Sequence, residues 1–231
     1  MIVSINQPCY LPWLGYFDRI ARSDLHIVLD HVQFEKNSFT NRNKIRTAQG
    51  WTWLTLPVLT SGKFGALPIA ELATASPEWR GKHWNTLRQA YGKAPFFKQH
   101  APYLEAIYAR DWPLLAPLMR EMTSYFLDAL GITTPLKFSS EMAAQGTKAD
   151  LVLNLCKEVG ATTYLSGPLG RDYLEPAAFA ASGIGLAFQD YAHPTYRQAY
   201  PGFEAYMAAL DLLLNHGPDS LGLLKGEMTQ P

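Results

Sequence analysis

Between Ile2 and Asp30 the chain passes through an apolar run, a proline-fixed turn, an amphipathic stretch and a second apolar run, an order that few folds accommodate. IVSI (2–5) closes on Asn6, Gln7 and Pro8, and a short apolar run bounded by turn residues predicts a buried strand. Pro8 and Pro12 fix their own φ and hold the residues before them extended, so QPCYLPW is a rigid, aromatic turn. From Leu14 the apolar positions Leu14, Phe17, Ile20 and Ala21 repeat at helical spacing, and Ser23-Asp24 ends the helix. LHIVLD (25–30) is then a second strand. Two short apolar strands joined by a helix make a βαβ unit, whose parallel strands must be covered on both faces.

The remainder extends that pattern. WTWLTLPV (51–58) alternates aromatic and β-branched residues and reads as a strand closed by Pro57, while GKFGALP (62–68) reads as an exposed loop. From Trp79 to Gly131 the periodicity is helical, with Trp84, Leu87, Arg88 and Tyr91 in one stripe and Gly131 as the C-cap of 114–131. FSSEM (138–142) suggests a strand, and a helix starts at Thr147-Lys148-Ala149-Asp150 and is capped by Gly160. ATTYLSG (161–167) is a strand leading into a glycine-containing loop. A short helix at 176–182, a strand at 183–191 and an amphipathic helix over 205–216 complete the chain. Strands alternating with helices predict an α/β, Rossmann-like fold: one domain over 1–231, a mostly parallel sheet flanked by helices, and a helical insert around 79–131.

Composition restricts the partners. A chain of 231 residues, 48% hydrophobic, is long and apolar enough for a packed core. Lys plus Arg and Asp plus Glu each number 20, and that neutrality argues against a nucleic-acid surface. Cys9 and Cys156 are too few and too distant for a disulfide framework or a zinc site and read as buried thiols of a reducing compartment. The MIVSINQP start has no signal-peptide pattern, and no apolar run reaches the roughly 18–20 residues that span a bilayer. The expectation is a soluble cytoplasmic protein with no membrane contact, its oligomeric state left open.

Parallel α/β sheets bind ligands beyond the carboxyl ends of their strands. Here those ends carry Asn6-Gln7-Pro8, Asp30 through Lys36, Ser166-Gly167 and, after the last strand, Asp190 through Gln198. Asp30 with Lys36 and Arg42 suits an anionic or amino-bearing small molecule, with Gln33, Asn41 and Asn43 as orienting groups. The segment NSFTNRNKIR reads equally as a solvated loop, because Asn and Ser favour turns. Two histidines are candidate bases: His83, beside Lys82 in a predicted helix, and His193, held extended by Pro194. A ring packed beside Trp84 explains His83 as well. Tyr10, Trp13, Tyr16 and Phe17 either stack on a base or sugar or fill the core, Tyr10 and Tyr16 having hydroxyls to use. The aromatics around Cys9 point to packing rather than to a nucleophile. GxSxG, HExxH, CxxC, the P-loop and GxGxxG after the first strand are all missing, so no metal motif is found and ATP has no sequence support.

QPxYLPWLGYFxxI, LDxVQFxK, NRNxI, WLTxPV, KHW…YGKAPFF, YLSGPLGRDYL, HPxYxQ and LDLLLNxGP follow one another along nearly the whole chain. In this ordered set the sequence resembles the WbqC-like protein family. The resemblance implies a transferase that attaches an amino acid, often glycine, or a related acyl group to the amine of a small acceptor such as an amino-sugar nucleotide. It carries Gln7, Tyr10, Trp13, Tyr16, Asp30, Gln33, Lys36, Asn41, Arg42, Asn43, His83, Tyr91, Ser166, Gly167, His193, Tyr196 and Gln198 into the site. In such a reaction His83 or His193 would take the ammonium proton, while Arg42, Lys36 and the asparagines would hold the oxyanion or a phosphate. Relatives carry a His and a Ser where this chain has Ala205 and Ala208, which leaves a second expectation: a non-catalytic module that binds a nucleotide sugar within a biosynthetic complex. The Pro-rich turn is also similar to the ATP-binding turn of HIGH-type nucleotidyltransferases, but Trp13 and Tyr16 stand where their histidines would be. Transfer from an aminoacyl-tRNA would need a basic surface that a neutral chain does not supply.

Overall fold

The computed structural model describes residues 1–61 and 67–228, so residues 62–66 of the expected GKFGALP loop lie outside the described residues. In chain order the elements are β1 (Ile2–Asn6), α1 (Leu14–Ala21), β2 (Leu25–Val28), β3 (Arg42–Thr47), β4 (Gly50–Thr55), α2 (Glu78–Tyr91), α3 (Phe97–Ala109) and α4 (Leu115–Leu130). There follow β5 (Leu136–Phe138), α5 (Lys148–Glu158), β6 (Thr163–Ser166), α6 (Pro176–Ala181), β7 (Gly185–Phe188), α7 (Ala209–His216) and α8 (Ser220–Lys225).

β5-β2-β1-β6-β7 form one five-stranded sheet in which every pairing is parallel. Val3 pairs with Leu25 on one side of β1 and with Tyr164 on the other. The chain therefore winds outward from β1 to β2 and β5, then returns to the opposite side for β6 and β7. The direction reverses between β1 and β6, the kind of switch point beside which parallel α/β sheets bind ligands. The α/β, Rossmann-like reading is what the structure shows, with the helices α2 to α4 inserted between β2 and β5 as the periodicity indicated.

Strand alternation assigns the two faces of the sheet. Val3, Ile5, Leu25 and Ile27 pack with Leu151, Val152, Leu155, Phe179 and Ile184 under α5 and α6. The opposite face is covered by α1, whose Tyr16, Phe17 and Ile20 join a second core built from α2, α3, α4, α7 and α8. Phe17 meets Phe126 of α4 at 5.6 Å between ring centroids. Helix α1 is enclosed on all sides: every residue except Ala21 is buried, including Asp18 and Arg19. That enclosure is not in its amphipathic pattern and comes from elements far along the chain.

Three local expectations change. NSFTNRNKIR is not all loop, because Arg42–Thr47 pairs antiparallel with Gly50–Thr55 as a separate hairpin. The strand expected over 138–142 lies earlier, at Leu136–Phe138, and Ser139–Glu141 is a 3₁₀ turn. The last expected helix begins at Ala209 rather than 205, and α8 follows it. Gly131 and Gly160 do end their helices with positive φ, +72° and +69°, the left-handed conformation that favours glycine.

Candidate functional site

At the carboxyl ends of β1, β2 and β5 lies a cavity of about 330 Å³, walled by Pro8, Val28, Leu114, Pro117, Met119 and Phe138 with Asp30, Arg120, Thr123 and Ser140 as its polar residues. A second cavity of about 270 Å³ adjoins it through Ala70 and Ser140 and contains His31, Glu71 and Ser139. Asp30 is buried and its carboxylate is immobilised: Oδ1 accepts from Ser139 Oγ at 3.1 Å and from the Ser140 N–H at 2.9 Å, and Oδ2 from Ser140 Oγ at 2.8 Å. Ser139 Oγ also accepts from the Asp30 N–H at 3.0 Å and lies 2.6 Å from His31 Nδ1. A hydroxyl has one proton and gives it to Asp30, so His31 is the Nδ1–H tautomer and Nε2 is its acceptor nitrogen. The 3₁₀ turn that replaced the expected strand is what brings Ser139 and Ser140 to Asp30. Arg120 stacks on Phe138 and bonds Glu141 Oε1 at 2.6 Å.

At the carboxyl end of β6, Arg19 of α1, buried at 7% exposure, lies against Gly167. A Cβ at Gly167 would overlap Arg19 Nη1, and one at Gly170 would overlap Ser166 Oγ. Glycine at 167 is thus what lets the guanidinium lie across the end of β6. Cys9 and Tyr16 are close enough to feel its charge. Burial nevertheless pushes the Cys9 thiol up to about 12, which keeps it protonated. Gln7 lies half-buried just beyond β1.

Other residues expected at the site hold the fold together. Leu11 has φ +48°, a strained conformation for a side chain with a Cβ. Asn43 holds it: wholly buried, it donates Nδ2–H to Leu11 O at 2.5 Å and accepts the Lys44 N–H at 2.8 Å. Asn41 donates to Leu56 O, Gln33 spans Phe34 O and Leu67 N, and Arg42 bonds Asn37 O while lying over Trp53. Lys36 and Lys82 are exposed. Trp13 packs against Tyr191 and Tyr206 and folds back over Gly15, where a Cβ would overlap the indole.

Two buried clusters take the aromatic and imidazole groups. Tyr10 bonds His83 Nδ1 at 2.8 Å and Tyr108 Oη at 2.6 Å, with Trp79 edge-on to the cluster. Burial holds His83 down at about 4, against a smaller opposing effect of a hydrogen bond with the Thr55 backbone. In the second cluster Gln198 donates to Asp211 Oδ2 at 2.9 Å, and the Tyr91 and Tyr196 hydroxyls face the same carboxylate. Burial raises Asp211 to about 6. Beside it His193 is spent on backbone, accepting the Tyr206 N–H at Nε2 and donating Nδ1–H to Pro194 O. Ala208 is wholly buried, its N–H donated to Lys44 O.

The structure therefore brings Asp30, Gln7, Ser166 and Gly167 to the carboxyl ends of the sheet and distributes the others among the hairpin and these clusters. It adds His31, Ser139, Ser140, Arg120 and Arg19. Of these only His31, next to Asp30, carried a signal in the sequence. Among the described residues no group of three or more His, Cys, Asp or Glu side chains is placed to hold a metal ion, and no helix is long and apolar enough to cross a membrane.

Comparison with known proteins gives one family and one curated relative. The model of the WbqC-like protein family matches residues 7–222. A Mycobacterium tuberculosis (strain ATCC 25618 / H37Rv) protein described as "Uncharacterized protein Rv1507c" is 36% identical over 225 residues, covering 96% of this chain and 97% of its own length. No solved structure matches.

Proposed function

We propose a function from the premise that this chain belongs to the WbqC-like protein family: it transfers an amino acid, glycine-like in size, or a related acyl group to the amine of a small acceptor such as an amino-sugar nucleotide. The observation that carries this reading is the Asp30 carboxylate, held rigidly by Ser139 and Ser140 at the wall of the crest cavity. A fixed anion in a largely apolar cavity selects a cationic donor of hydrogen bonds, which is what an amine acceptor presents. His31 Nε2, in the adjoining cavity and oriented through Ser139, takes the ammonium proton. The freed nitrogen attacks the carbonyl carbon of the activated donor; the C–N bond forms and the bond to the donor's leaving group breaks, and the leaving group departs with its electron pair and takes up the second proton that the nitrogen sheds. The Arg120 guanidinium, lining the same cavity, stabilises the intermediate oxyanion.

The test is turnover of a UDP-linked 2-amino sugar with a glycyl thioester, followed by mass spectrometry. The expected product is the N-glycyl sugar nucleotide. Asp30→Asn should raise KM for the amine, and His31→Gln should lower kcat on the order of 10²-fold, the usual worth of a general base. Wild-type kinetics in both variants would overturn the assignment. The second reading is a binding module without catalysis. It is favoured by His83 and His193, whose ring nitrogens are all spent on hydrogen bonds; amino-sugar binding with no product from any acyl donor would select it.

A further inference from the structure

We infer a second ligand subsite at the carboxyl ends of β1 and β6, where Arg19 awaits an oxyanion, a phosphate or carboxylate group of a bound small molecule. This subsite is independent of the Asp30 cavity and does not require that reading of it.

Arg19 is 7% exposed, and its guanidinium makes no hydrogen bond or ion pair with any described residue; Nε is buried without a partner. Burying a cation is costly unless a counter-charge or a full set of acceptors replaces water. Proteins normally meet that need with Asp or Glu, and here the neighbouring one on α1 is already committed. Asp18, beside Arg19 on α1, bonds Arg22 Nε at 2.8 Å and Gln189 Nε2 at 2.7 Å. The titratable groups within reach of the Arg19 charge are Cys9, Tyr16, Tyr164, Tyr173 and His26, none of them a carboxylate. Two of these are left with unused polar atoms as well: Tyr16 Oη and His26 Nε2 are buried without partners. His26 holds Ser4 Oγ at Nδ1, and burial keeps its ring neutral, down at about 3.

The place of the guanidinium tells against a mere packing accident. It lies across the end of β6 against Gly167, the position at which a side chain would displace it, and at the point where the winding direction of the sheet reverses. A planar, always-charged fork at that point is matched to the oxygens of a phosphate or carboxylate. Tyr16 Oη, with no other acceptor, is a second donor for the same oxygens. The absence of a compensating acid among the described residues is then functional: the ligand brings the negative charge.

The test uses the full chain and compares thermal-midpoint shifts and calorimetric binding for inorganic phosphate, pyrophosphate, acetate and glycine, at constant ionic strength with chloride as the reference anion. Arg19→Met keeps the packing volume, Arg19→Lys keeps the charge without the fork, and Asp30→Asn controls for the other cavity. The expected result is a saturable upward shift in wild type and in Asp30→Asn, weakened at least tenfold in Arg19→Lys and abolished in Arg19→Met. Ligand-free Arg19→Met should melt no lower than wild type. A response confined to phosphate and pyrophosphate assigns a phosphorylated ligand; one confined to acetate and glycine assigns a carboxylate. No shift above chloride in wild type, or an undiminished shift in Arg19→Met, overturns the proposal. So does a marked loss of ligand-free stability in Arg19→Met, since it would mean that the fold itself satisfies the guanidinium.

Discussion

The buried imidazoles predict a specific acid lability. His83 is held at about 4 against an ordinary 6.5, and His26 at about 3, both because burial penalises the charged ring. In the unfolded chain each ring takes up a proton below about pH 6.5, whereas in the folded protein each stays neutral. The stability that each contributes is therefore present above 6.5 and is lost as the pH falls toward the folded value. At about pH 5 the unfolded state has gained roughly 1.5 pH units of protonation free energy per ring, about 2 kcal/mol each at 1.36 kcal/mol per unit. Two such rings make about 4 kcal/mol, a large part of a total stability of roughly 5–15 kcal/mol. His83→Gln keeps an amide for Tyr10 and Thr55 but cannot titrate. Urea unfolding, followed by tryptophan fluorescence at about pH 7.5 and pH 5, should show the pH-dependent loss reduced by about 2 kcal/mol in His83→Gln and by about 4 in the double variant with His26→Gln. A variant less stable by the same amount at both pH values would refute the reasoning, because the wild-type ring would then be protonating inside the fold. That result would also restore His83 as a group able to exchange protons near neutrality.

Two further substitutions probe the scaffold behind the crest. Asn43→Ala leaves the Leu11 carbonyl and the Lys44 N–H unpaired beside a strained Leu11, at roughly 1–3 kcal/mol for each buried group; denaturant melts should show a loss of about 2–4 kcal/mol, and a loss within 0.5 kcal/mol would show that the turn does not depend on this clasp. Asp211 titrates in the folded protein at about 6, above its ordinary 3.8, so the favourable contribution of its protonated form is present below about 4 and is lost as the pH rises through 6. Asp211→Asn should therefore gain about 2–3 kcal/mol relative to wild type between pH 4 and pH 7 in the same melts, and an unchanged difference would place the carboxyl in contact with water.

The parts of this structure legible in the sequence are those whose burial is set by near neighbours. IVSI and LHIVLD are mostly apolar because helices cover both faces of the sheet, and that pattern identifies β1 and β2. β3 was hidden because the residue it buries beside Ile45 is Asn43, whose amide replaces hydrophobic contact with two backbone hydrogen bonds. A strand that places Arg42 and Lys44 over Trp51 and Trp53 on its other face has no apolar alternation to read. Ser139 and Ser140 looked like strand residues because nothing local shows that Asp30, more than a hundred positions earlier, will claim both hydroxyls. Arg19 was the hardest to see. In LGYFDRIA it occupies what reads as the polar side of an amphipathic helix, and only the burial of that helix on every side converts an ordinary surface cation into an unpaired buried one.

The two subsites constrain the size of whatever would occupy both. Asp30 follows β2 and Arg19 lies across the end of β6, and both strands are direct neighbours of β1. Adjacent strands are roughly 4.8 Å apart, so the two charges stand on the order of 10 Å from each other across the carboxyl end of β1. Free glycine is too short to bring its ammonium to one and its carboxylate to the other; it would occupy one subsite only. A 2-amino sugar with a phosphate on the opposite side of its ring comes close to that span, with the ammonium on Asp30 and the phosphate on Arg19. Such a ligand would cross Gln7 and Pro8, the residues at which the rigid turn leaves β1. If one ligand occupies both proposed subsites, the stiffness of that turn has a use beyond folding, since it holds still the ground between the two charges.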